Sequence, residues 1–144
     1  MNQYQTHHTL EWVELLLSGR FKHGRGVLYN PTMDRYCALG VALVEAGQPR
    51  NDIGMFILAD EQETNALASA KDYGGFLVIS KTIVREVWFA QRYGLPKEAA
   101  VYSSVNDHSR NFYAVASLLL NACDTSPKQQ RLWTKLHDLS DART

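Results

Sequence analysis

Between residues 18 and 47 the chain reads SGRFKHGRGVLYNPTMDRYCALGVALVEAG, with Arg20, Lys22, His23 and Arg25 set among Gly19, Gly24 and Gly26 ahead of a lone cysteine, Cys37. Glycine lets backbone approach a ligand closely, open amides attract an anion, and guanidinium forks match phosphate or carboxylate oxygens in pairs. Anion binding is the chemistry this composition favours. The pattern is not a GxGxxG dinucleotide fingerprint, because no third glycine follows in register and no strand clearly precedes it. Nor is it a P-loop, which needs Gly-Lys followed by Ser or Thr. The competing reading is a plain helix-to-hairpin connection whose basic residues are solvated.

Cys37 falls where a strand passes into a helix, and a helix N-terminus lowers a thiol pKa. A nucleophile also needs a base, for which His23 and His108 are the candidates, with Asp107 to orient it. Against this, cysteine is among the residue types most often buried, and Tyr36, Ala38 and Leu39 suit a core. A structural Cys37 is the expectation, and no catalytic residue is assigned.

Asn106-Asp107-His108-Ser109-Arg110-Asn111 alternates oxygen-bearing side chains as a calcium loop does. It then puts Phe112 where glycine is required and Leu118 where a bidentate glutamate belongs. Helix termination and capping explain most of it, and Asn106, Asp107 and Arg110 are left as candidates to line a polar pocket. The five histidines have neither HExxH nor paired-cysteine spacing. No metal and no cofactor is expected. Trp12, Trp88 and Trp133 fall in helical apolar patterns and read as packing residues. The candidate ligand-binding set is Arg20, Lys22, Arg25, Tyr36, Asn106, Asp107 and Arg110.

Several local elements position these residues. Leu10, Val13, Leu16 and Leu17 predict a first helix with Glu11 in its first turn and Gly19 as its stop, leaving His7 and His8 in a frayable terminus. Val27-Leu28-Tyr29 and Arg35-Tyr36-Cys37 predict a hairpin around Asn30-Pro31-Thr32-Met33-Asp34. Leu39, Ala42, Leu43 and Ala46 predict a buried helix closed by Gly47. Gly54-Met55-Phe56-Ile57-Leu58 reads equally as strand or buried turn, and 60–71 as exposed helix or excursion.

After Gly74-Gly75, Phe76-Leu77-Val78-Ile79 predicts a strand. Ser80 then caps a predicted helix carrying Ile83, Val84, Val87 and Trp88 to Gly94. Leu95-Pro96 opens a further helix to about Val105. Phe112, Val115, Ala116, Leu119 and Leu120 form a core stripe behind an Asn111 cap. Ser126-Pro127-Lys128-Gln129 opens the last helix, with Gln129 placed for a capping box and Leu132, Leu136 and Leu139 on its apolar face. The expected fold is α+β: a single compact, helix-rich domain over 1–144, with a short antiparallel hairpin or small sheet packed on helices and a mobile or inserted segment at 50–75.

Fifteen basic residues balance fifteen acidic ones, so no global field draws the chain to nucleic acid or an anionic membrane. The region 95–122 has only Lys97 and Arg110 as basic residues, too few to track phosphates. No apolar run reaches the roughly 18 residues of a membrane span. The N-terminus MNQYQTHHTLEW lacks a signal-peptide pattern, and Cys37 and Cys123 lie far apart in sequence. Free thiols in a cytoplasm are expected.

Trp12 with Leu16, then Ser18-Gly19-x-Phe21-x-x-Gly24-x-Gly26-x-Leu28, then Tyr36-Cys37-x-Leu39-Gly40-Val41, and Asn106-Asp107 ahead of Phe112, together form a signature. It resembles a family of small uncharacterised bacteriophage and prophage proteins. The resemblance rests on the first third of the chain and on the part after residue 94. Ala38 stands where the family has a second cysteine, and His23 where it often has glutamine, so vicinal-cysteine chemistry is not expected.

The resemblance implies a phage accessory protein working in a bacterial host's cytoplasm. Three functions fit. The first is binding of a small anionic, nucleotide-derived ligand by a homo-oligomer, as a counter-defence sponge. The second is docking on a host protein through exposed aromatics and the mid-chain excursion. The third is a small cysteine-dependent hydrolase.

Overall fold

The computed structural model describes residues 1–47, 76–79 and 82–142. The expectations for 50–75, including 54–58 and the Gly74-Gly75 stop, and for Ser80 lie outside these residues.

Helix α1 (Gln3–Leu16) starts well ahead of its apolar stripe. Asn2 Oδ1 accepts from Gln5 N (2.8 Å) and Gln5 Oε1 accepts from Asn2 N (2.9 Å), so two orphan donors are satisfied reciprocally. His7 and His8 are therefore helical, not frayed. The expected start near Glu11 followed the apolar residues, whereas the cap is polar.

Two-residue strands β1 (Lys22–His23), β2 (Tyr29–Asn30) and β3 (Arg35–Tyr36) form a sheet in the order β1-β3-β2. The β2–β3 pair is the expected hairpin, shortened, with Tyr29 opposite Tyr36 and Asn30 opposite Arg35. Within its turn Asn30 Oδ1 accepts from the backbone amides of Thr32 and Met33. Strand β1, expected as part of a basic turn, instead pairs parallel with β3, setting Lys22 against Arg35 and His23 against Tyr36. Its following Gly24 is tightly pressed, since a Cβ there would lie 2.9 Å from Arg35 Cβ.

Helix α2 (Ala38–Glu45) is buried from Ala38 to Leu43. A helix apolar on all sides belongs at the centre of a core. Gly40 permits this, because a Cβ there would fall 2.0 Å from Leu28 O. Strands β4 (Phe76–Ile79) and β5 (Thr82–Arg85) pair antiparallel, and helix α3 (Glu86–Tyr93) follows. Ile83 and Val84 are thus strand residues and not the first turns of the helix predicted behind Ser80. Strand pairing across β4 satisfies their backbone, which a short apolar run cannot announce.

Helices α4 (Ala99–Asp107), α5 (Tyr113–Ala122) and α6 (Pro127–Asp141) complete the element order. Helix α5 is capped at Phe112 with no side-chain bond, so Asn111, expected as the cap, sits one residue ahead of it, where its Oδ1 accepts from Tyr113 N at 2.9 Å. Ser126 caps α6 through Gln129 N (3.1 Å), but the capping box stays open because Gln129 Nε2 turns to Leu120 O (3.3 Å).

Helix α1 packs on α2, α3, α5 and α6, while α4 joins α2 to α5. At the centre Trp12 is fully buried and its Nε1 donates to Ala38 O at 2.9 Å. The α5 stripe of Phe112, Val115, Ala116, Leu119 and Leu120 is buried as its spacing predicts. The fold is a compact, helix-rich α+β domain with a small sheet on its helices. Among the described residues no helix is long and apolar enough to cross a membrane.

A polar joint ties α1, α2 and α3 together. Arg92 Nε and Nη2 donate to the two Glu45 carboxylate oxygens (2.9 Å each), and His8 Nδ1 lies 2.8 Å from Glu45 Oε2. Tyr93 Oη lies 2.8 Å from Glu45 Oε1 and 3.0 Å from Ala42 O. Burial raises the Glu45 carboxyl pKa, but hydrogen bonds from Arg92, His8 and Tyr93 outweigh it and hold the group below its ordinary value.

Candidate functional site

The parallel pairing of β1 with β3 puts basic residues from two distant stretches side by side, and the loop between α4 and α5 adds a third. Two adjoining concavities result, of about 310 and 420 Å3, with His23, Arg35 and Arg110 lining both. Lys22 lines the smaller one and Arg25 the larger. Among the described residues no Asp or Glu side chain lines either. The lining cations make a local anion-attracting field, tempered by the nearby Asp107, on a chain of zero net charge.

A buried and a half-buried side chain, Asn106 and His23, support this bowl. Asn106 has no exposed surface. Its Oδ1 accepts from Ala38 N (3.0 Å) and its Nδ2 donates to Gly24 O (2.9 Å) and Asp107 Oδ1 (3.1 Å). His23 Nε2 donates to Asn106 O at 3.0 Å, and the ring stands edge-to-face on Phe112 with centroids 5.1 Å apart. That bond places the proton on Nε2 and leaves Nδ1 as an acceptor. Burial pushes the His23 pKa down and nearby Arg25 adds to this. The Asn106 carbonyl and Asp107 oppose it, and the net shift is downward, which favours the neutral ring.

The sequence-predicted residues divide by location. Lys22, Arg25 and Arg110 line the bowl. Arg25 also clamps the α4–α5 loop, its Nε and Nη2 donating to Ser109 O at 3.1 and 2.8 Å. Among the described residues Arg110 has no hydrogen-bond or ion-pair partner and is exposed. Arg20 lies over the Phe21 ring (5.6 Å to the centroid), outside both lining sets.

Tyr36 is packed in the core against Tyr29 and Phe21, and Asn106 and Asp107 serve the scaffold. Asp107 Oδ1 accepts from Gly26 N at 3.0 Å. The glycine amides expected to stay open are therefore used internally, Gly24 N donating to Tyr36 O at 2.7 Å. The cationic groups lining the concavities are thus all side chains. Arg35 was missed because it reads as an ordinary strand residue, and nothing near it in sequence reveals its pairing with Lys22.

Cys37 is 1% exposed, and its Sγ accepts from Gly40 N at 3.4 Å as the cap of α2. Burial pushes its thiol up to about 12, outweighing the amides around it, so it is protonated at neutral pH and closed to substrate. Among the described residues no group of three His, Cys, Asp or Glu side chains is placed to hold a metal ion. The mid-chain surface expected to meet a partner protein lies outside the described residues. Compared with known proteins, the chain matches no family model, no curated protein and no solved structure.

Proposed function

We propose that the protein binds a small anionic, nucleotide-derived ligand in the bowl formed by Lys22, His23, Arg25, Arg35 and Arg110. The observation that carries this reading is the sharing of His23, Arg35 and Arg110 between two adjoining concavities, with no carboxylate in either lining among the described residues. Guanidinium groups at such a site offer paired donors to phosphate oxygens. The burial of Cys37, which keeps its thiol protonated and out of a substrate's reach, favours binding over covalent catalysis. In the phage setting that the resemblance implies, such a protein sequesters a nucleotide signal of host defence, as a homo-oligomer.

A thermal-shift series with mononucleotides, cyclic dinucleotides and adenosine diphosphate ribose at matched ionic strength tests the reading. Ligand at about 100 times its Kd stabilises by roughly 2.7 kcal/mol, which raises Tm by roughly 5–10 °C in a chain of this size. Arg110→Ala is expected to remove the shift while leaving the ligand-free Tm within about 2 °C, since it deletes an exposed side chain with no partner among the described residues. A flat response across the series refutes the proposal.

A further inference from the structure

The two concavities share their basic junction but differ in their remaining walls. The smaller gains Phe21, Tyr113, Leu16 and Leu139, drawn from the segment before β1 and from α5, α1 and α6. Phe21, Tyr113 and Leu139 are each half-buried, so apolar and aromatic surface stands open beside the cations. The larger concavity gains Gly24, Arg25 and Met33, and among the described residues carries no aromatic ring other than His23.

An inorganic anion alone needs only the larger one. A ligand with a phosphate at one end and a planar ring at the other uses both, since rings stack on aromatic faces and leave phosphate to the guanidinium forks.

We propose that the pair is one bipartite site for a phosphorylated aromatic of nucleoside 5′-monophosphate type. Its phosphate sits between Arg35 and Arg110 on the Arg25 side, and its planar ring enters the lobe walled by Phe21, Tyr113 and Leu139. This rests on the function proposed above and narrows it. Volumes of about 310 and 420 Å3 hold a base in one lobe and a phosphorylated sugar in the other. Arg110 is the shared element, reaching both lobes from the α4–α5 loop with no competing partner among the described residues.

Adenosine 5′-monophosphate and ribose 5-phosphate differ only by the base, and isothermal titration of both at one ionic strength separates the lobes. The expected result is adenosine 5′-monophosphate binding about tenfold tighter or more, with Arg110→Ala weakening both ligands. Phe21→Leu is expected to weaken the nucleotide and leave ribose 5-phosphate unchanged. Because Phe21 also packs on Tyr36, Leu139→Ser at the far wall gives the same readout should Phe21→Leu unfold. Equal affinities, both lost in Arg110→Ala, overturn the bipartite site while sustaining the anion bowl. Binding of neither compound overturns the bipartite site and, with a flat nucleotide series, the bowl as well.

Discussion

Replacing Asn106 by leucine tests the scaffold under the bowl, because one buried side chain links the start of α2, the chain after β1 and the end of α4. Leucine removes the acceptor for Ala38 N–H and the donor for Gly24 C=O, two contacts of 3.0 and 2.9 Å. The Ala38 N–H then stays buried and the Gly24 C=O half-buried, both without a partner, at about 1–3 kcal/mol each, so the expected loss is about 4 kcal/mol. That is a large share of the roughly 5–15 kcal/mol that holds a domain together. It corresponds to a Tm lower by about 10 °C.

Urea unfolding followed by tryptophan fluorescence reads it, since Trp12 is bonded to the carbonyl of the same Ala38. Asn106→Asp adds a second arm. It keeps the acceptor for Ala38 N–H but cannot donate to Gly24 O, and it brings a carboxylate against Asp107. It too is expected to destabilise at neutral pH. A loss below about 1 kcal/mol for Asn106→Leu, at unchanged denaturant slope, refutes the assignment of Asn106 to the scaffold.

Other expected outcomes concern titration and thiol chemistry. The folded state binds the His23 proton less readily than the unfolded chain. Its contribution is therefore whole above pH 6.5 and is lost as pH falls through 6.5 toward the lower folded value. Tm measured across that window is expected to fall less in His23→Gln, whose amide still donates to a carbonyl; identical slopes refute this. The Glu45 carboxyl titrates below 4.5 when folded, so its contribution is present above that pH and is lost as pH drops through the folded value. Glu45→Gln is expected to lower Tm at neutral pH by stranding Arg92 and to flatten the acid limb of the Tm–pH curve. Cys37 is expected to resist iodoacetamide in the native protein and react once unfolded in urea, by intact mass. Rapid native modification at Cys37 refutes its burial.

Legibility followed the range of the interactions. The α5 stripe, the Cys37-to-Gly47 helix and the Ser126 cap depend on residues within one or two turns of each other, and periodicity reports them. The start of α1 escaped because a polar capping box and contacts to α3 fix it, Gln5 reaching Ala90 O and Gln91 O and Thr9 reaching Tyr93 O. Ile83 and Val84 fit a helix as well as a strand over so short a run, and only the partner β4 decides. Among site residues, the basic character of 20–25 and the position of Arg110 were visible as charge and loop chemistry. Whether each points to solvent, to the bowl or inward was not.

The sequence by itself determined a helix-rich α+β chain with no net charge, a thiol at the start of a buried helix, and two polar segments some 80 residues apart that share no local signal. The tertiary structure alone decided that these segments meet. Parallel pairing aligns Lys22 with Arg35, and Asn106 then fastens the α4 end to Gly24 and to α2. It also decided which groups are left for a ligand. A buried amide or carbonyl must find a partner inside the protein. The glycine amides and Asn106 are consumed in this way, and Arg25, Arg35 and Arg110, paired with no carboxylate among the described residues, are left lining the concavities.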